Sequence, residues 1–98
     1  MTNLQVIQRF IKKEEGRTPA RTIHNHSGYY TTKGNTLTST RKILINYNTP
    51  IAYWENDTII VNVRKYSSTT SHIQAALIRE IEKHGINYIR YGVNEHDR

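Results

Sequence analysis

The stretch ILINYNTPIAYWENDTIIVNV, residues 43–63, constrains the fold more than any other part of the chain. Ile43, Ile45 and Tyr47 alternate with Leu44 and Asn46. Alternation at period two sends successive side chains to opposite faces of a strand. The pattern resumes through Trp54 after a predicted bend at residues 48–50. There Pro50, which has no N–H to donate, interrupts the strand or places it at an edge. It returns from Thr58 to Tyr66: Ile59, Val61 and Val63 share one face, and Ile60, Asn62, Arg64 and Tyr66 take the other. Asn56 and Asp57 lie between the two runs, and both tolerate the positive φ of a type I′ turn. The pattern predicts a β-hairpin with one buried face.

That face needs a cover, and two amphipathic segments can supply it. Leu4, Ile7, Phe10 and Ile11 recur at helical spacing with Val6 beside them. Thr2 and Gln5 fit a capping box and Gly16 can stop the chain, so a helix is predicted over 2–15. Ile73, Ala76, Leu77 and Ile81 predict a second helix over 71–84, with Ser71 and Gln74 as its capping box and Gly85 as its stop. INYIRYG predicts a final strand over 86–91, and 93–98 reads as a polar tail. Residues 17–42 are polar and threonine-rich. They fit short strands near 22–26, 29–32 and 36–40, at an edge or in a loosely packed hairpin. The predicted fold is a single α+β domain over 1–98. It has an N-terminal helix, a β-rich region over 20–66 with an antiparallel sheet of about four to five strands, a second helix and a final short strand.

Composition narrows the chemistry. The 98 residues contain no cysteine, which excludes disulfides and thiolate zinc sites. Nothing resembles a signal peptide, and no apolar run is long enough to span a bilayer, so a cytoplasmic chain without membrane contact is expected. Fourteen Lys and Arg against eight Asp and Glu give a net charge of +6, which favours an anionic partner. With Ser71 as cap, residues 67–70 become a hydroxyl-rich loop before a helix N-terminus, just after Arg64 and Lys65. Such a loop serves as a plain connector or holds a phosphate; without glycine it is not a P-loop.

Counting along the hairpin suggests one patch made of Arg41, Lys42, Arg64, Lys65, Tyr66, Ser68 and Thr69. Tyr29, Tyr30 and Lys33 are further contact candidates. Of the seven tyrosines, Tyr47, Tyr53 and Tyr88 are expected in the core, and Tyr29, Tyr30, Tyr66 and Tyr91 at the surface, where rings can stack on bases or anchor a protein. His24 and His26 share a strand face. They are weak candidates for an acid–base pair or for two metal ligands, and no metal or other cofactor is expected.

Three segments carry a family resemblance: GNTLTS at 34–39, YNTPIA at 47–52 and KYSSTTSHIQ at 65–74. They resemble a small domain of unknown function found in phages, plasmids and archaeal viruses, with the pattern GNxLxS, YxTxIA and KYSxTTSxxQ. That domain's usual glycine after LxS and basic residue before the Gln are here Thr40 and Ile73. The resemblance implies a mobile-element setting, in which small proteins often block host machinery; anti-CRISPR proteins are the best-known class. DNA mimics among them are acidic, whereas this chain is basic. The expectation is a non-catalytic phage-type inhibitor. Its partner would be a host protein or protein–nucleic acid complex such as a CRISPR–Cas effector, in the host cytoplasm. The alternatives are a direct DNA- or RNA-binding accessory protein and, third, a small His-dependent nuclease.

Overall fold

A computed structural model describes the backbone of residues 1–24, 31–35 and 37–92, and the side chains of 1–19 and 37–92. Its elements are α1 (Asn3–Ile11), β1 (Gly16–Arg17), β2 (Ala20–His24), β3 (Thr31–Asn35), β4 (Leu37–Ser39), β5 (Ile43–Asn46), β6 (Thr49–Glu55), β7 (Thr58–Asn62), α2 (Ser68–Lys83) and β8 (Tyr88–Tyr91). The class is α+β, as expected. The sheet is larger and differently wired than the antiparallel one predicted: six strands in the order β1-β4-β5-β6-β7-β8, with β2 and β3 forming a separate ribbon. All neighbours in the six-stranded sheet are antiparallel except β7 and β8. The parallel pair follows from α2, which carries the chain back so that β8 restarts in the direction of β7.

The β6–β7 hairpin turns at Asn56-Asp57, with Glu55 opposite Thr58. Only Asn56 of that pair has positive φ, at 55°, so the turn is not type I′, which needs it at both positions. Pro50 lies within β6, an interior strand, and not at an edge or a break. It is accommodated beside a register shift between Leu44 and Ile45: Ala52 pairs with Leu44, Pro50 with Ile45, and Ile51 is the extra residue. The bulge turns both Ile51 and Ala52 into the core.

α1 starts as predicted, with the Thr2–Gln5 capping box formed. It ends earlier, at Ile11, because Lys13 takes the left-handed position at φ 59° in place of Gly16. Lys13 N–H donates to the Phe10 carbonyl and Glu14 N–H to that of Arg9, a Schellman closure without glycine. The Lys13 ammonium stands over the indole of Trp54, 4.6 Å from the ring centroid, and donates to the Asn56 carbonyl. Gly85 stops α2 as predicted. At φ 66° it donates to the Glu82 carbonyl, and Ile86 donates to that of Ile81.

Both helices lie on one face of the sheet. Val6, Ile7 and Phe10 from α1 and Ile73, Leu77 and Ile81 from α2 join Leu37, Leu44, Ala52, Trp54, Ile59 and Val61 in one buried cluster. Each such aliphatic side chain contributes about 1.5–3 kcal/mol by leaving water. Trp54, not Tyr47, is the aromatic that the strands contribute to the core, beside Phe10 from α1: its Nε1 donates to the Phe10 carbonyl at 2.8 Å. Tyr47 takes a left-handed turn position between Asn46 and Thr49, at φ 56°, which leaves it exposed. Tyr53 and Tyr88 are only partly buried, on opposite faces. Leu4, expected in the core, is exposed at the first turn of α1.

Candidate functional site

The hydroxyl run sits where β7 passes into α2, and the capping roles differ from those predicted. α2 begins at Ser68 and its N-cap is Ser67, whose Oγ accepts from the Thr70 N–H at 3.2 Å. Ser71 lies inside the first turn and is exposed. Gln74, its expected capping partner, points inward. Its Nε2 donates to the carbonyls of Asn62 at 2.7 Å, the last residue of β7, and of Arg64 at 3.1 Å, two residues beyond it. Thr70 is buried and its Oγ1 donates to Asn46 Oδ1 at 2.6 Å.

Asn62 is the hub of this junction. Its Nδ2 donates to the Tyr66 hydroxyl at 2.7 Å and to the Pro50 carbonyl at 3.3 Å, and its Oδ1 accepts from the Arg64 N–H. Gly92 closes the corner at φ 83°; a Cβ there would stand 2.9 Å from Asn62 Oδ1. Tyr66, Ser67, Thr70 and Gln74, all within the KYSxTTSxxQ segment, are thus tied into the scaffold. Lys65, Ser68 and Thr69 are left exposed. Lys65, Tyr66, Ser67, Ser68, Ser71 and His72 line an open cleft of about 500 Å³.

The structure brings Arg64, Lys65, Tyr66, Ser68 and Thr69 to this end of the molecule, but Arg41 and Lys42 are not with them. They lie in the β4–β5 turn, where the Lys42 carbonyl accepts from Trp54 N–H. Asn62 reaches β6 at Pro50. From Pro50 to Trp54 along a strand is about 13 Å, so the two basic pairs mark opposite ends of the sheet. The expected single patch is corrected accordingly: β5 starts beside the β6–β7 turn, and its far end, at Tyr47, is the one that meets α2. Among the other candidates, His24 ends β2 and pairs in register with Thr31, and Lys33 in β3 pairs in register with Thr22. Tyr29, Tyr30 and His26 lie outside the described residues. Among the described residues, no group of three or more His, Cys, Asp or Glu is placed to hold a metal, and no helix is long and apolar enough to cross a membrane.

A second feature adjoins the cleft. Tyr53 and Tyr91 stand on the sheet face away from the helices, with ring centroids 6.4 Å apart. Burial raises the Tyr91 phenol above its ordinary pKa of 10.0, Tyr53 and Tyr66 raise it further, and Arg64 opposes them. The four groups therefore share one neighbourhood. The sequence marks Gln74 only as a capping partner and Asn62 only as a residue on the outer face of its strand; neither reading reveals their tie across the β7–α2 junction. No family model matches this chain, and neither the curated proteins nor the solved structures include a match.

Proposed function

We propose that this protein is a non-catalytic binder of an anionic partner and that the β7–α2 junction is its contact surface. The observation that carries this reading is the cleft. Lys65, Ser68, Ser71 and His72 are exposed around it, on a junction locked from behind by Gln74, Thr70 and Asn62. A site needs this combination of outward polar groups on a backbone that cannot shift. The net charge of +6 supports an anionic partner. The resemblance to mobile-element domains favours a partner in the host cell: a nucleoprotein of the defence machinery such as a CRISPR–Cas effector, inhibited by contact with its guide RNA, its target DNA or an acidic protein surface. Recovery of host proteins and nucleic acid on the tagged chain tests this. Wild type should retain a nucleoprotein, and the Arg64→Ser, Lys65→Ser double variant should lose it. Equal recovery by both would move the contact surface elsewhere.

A further inference from the structure

The face of the sheet opposite the helices is not a polar outer surface. Register places Ile43, Tyr53, Ile60 and Ile89 side by side across β5, β6, β7 and β8. Trp54 and Ile59, their neighbours in sequence, belong to the helix-covered core, so this row faces the other way. Ile43 is 36% exposed and Ile89 57%. Next to the row, Tyr91 pairs with Asn62, and Asn62 donates to the Tyr66 hydroxyl. Tyr91 and Tyr66 are 40% and 46% exposed. Ile60, at the centre of the row, is buried and Tyr53 is half-buried, so the accessible groups are Ile43 and Ile89 at its ends and the rings of Tyr91 and Tyr66, with Arg64 beside Tyr91 and with Tyr66 and Lys65 also lining the cleft.

Exposed rings beside cations distinguish among occupants. An apolar protein surface would need aliphatic cover and would gain nothing from Arg64 and Lys65. A duplex hides the faces of its bases within its own stack, so it can offer this sheet only phosphates. A single strand offers both groups that the surface can take: base faces for the rings and phosphates for the cations. The row crosses four strands, about 14 Å at the usual strand spacing, enough for about two or three bases.

We propose that the open sheet face, centred on Tyr53 and Tyr91, is a base-stacking platform for single-stranded nucleic acid whose phosphates run toward Arg64 and Lys65. This rests on the reading of the β7–α2 junction as an anion-contacting surface, and it fixes the partner's chemistry.

The test is fluorescence anisotropy with a labelled oligothymidylate and an oligouridylate of about twelve nucleotides, against a matched duplex and inorganic polyphosphate. Wild type should prefer the single strands. Tyr53→Leu and Tyr91→Leu should each weaken single-strand binding about tenfold with the salt slope unchanged, since no cation is lost, while Tyr91→Phe binds as wild type. Ile89→Ser, at an exposed position, should also weaken binding and keeps the test alive if a Leu variant fails to fold. Arg64→Ser with Lys65→Ser should flatten the salt slope.

Undiminished single-strand binding by the folded Leu variants, or a duplex bound as tightly as the strands, would overturn the platform. The junction reading would survive if the Arg64, Lys65 double variant alone lost affinity. Failure of wild type to bind any of the four probes would overturn both. A wild type that sediments as a dimer, with a monomeric Ile89→Ser variant that binds oligonucleotide normally, would assign this face to a second copy and also overturn the platform.

Discussion

The two faces of one sheet are built from similar residues and end in different states. On the helix side, Leu44, Ala52, Ile59 and Val61 are completely buried beneath Phe10, Leu77 and Ile81. On the other side, Ile43, Tyr53, Ile60 and Ile89 form a row in which Ile60 is buried and Tyr53 half-buried, while Ile43 and Ile89 at its two ends are exposed. The alternation predicts one buried face, and the helices cover it; the isoleucines of the other face are additional to that pattern. The contrast teaches that apolar content in a strand reports the capacity to be covered, and that the cover can be the fold or a partner. Polar chemistry separates the cases. The covered face meets α2 through buried hydrogen bonds that fix the junction, whereas the open face ends in phenols and cations.

Stability measurements should reproduce this division. The largest loss is expected at Leu77→Ala, about 2–5 kcal/mol in denaturant unfolding, because a fully buried side chain leaves a cavity under both helices. On the open face, Ile89→Ser should change stability by no more than about 0.5 kcal/mol. A loss at Ile89 comparable to that at Leu77 would mean that this face is covered in solution. Gln74→Leu should cost about 1–3 kcal/mol, since it leaves the Asn62 and Arg64 carbonyls without their donor while keeping the volume. Ser67→Ala should cost about 1 kcal/mol as the loss of an N-cap, with Ser71→Ala near zero. The reverse order would restore Ser71 as the cap.

The smallest effect concerns pH. The Tyr91 pKa is raised in the folded state, so its contribution is fully present below the ordinary pKa of 10.0 and is lost as pH rises through the higher folded value. Thermal melts of wild type should therefore fall more steeply than those of Tyr91→Phe in that alkaline range. Parallel curves would separate Tyr91 from its neighbours on the face.

What could be read from sequence was whatever local periodicity encodes. The β6–β7 hairpin, the Thr2–Gln5 box, the stop at Gly85 and the apolar face of α2 all follow from spacing within a few residues. The errors arose where two solutions were locally equivalent and a distant contact decided between them. Ser67 and Ser71 can both cap a helix. The buried bond from Thr70 to Asn46 anchors the earlier turn, and Gln74 is drawn inward by β7 carbonyls that no local pattern announces. Lys13 ends α1 with its ammonium over Trp54 and near the Asn56 carbonyl, contacts from far along the chain that local spacing does not encode. Tyr47 matched the strand alternation as well as Trp54 did, but the turn took its backbone. The basic patch was misassembled for the same reason: Arg41–Lys42 and Arg64–Lys65 look alike in sequence, and only strand direction sends them to opposite ends. Of the candidate site, the cations and hydroxyls were visible, whereas the pairing of Tyr53 with Tyr91 needed the register.

Backbone amide chemical-shift mapping during titration with a single-stranded oligonucleotide tests the central claim most directly. The account predicts that the largest shifts fall on Tyr53, Ile60, Ile89, Tyr91 and the Arg64–Ser68 stretch, with Val6, Ile7 and Ile81 unmoved. Shifts confined to the outer surfaces of α1 and α2, with the open face silent at saturation, would contradict it.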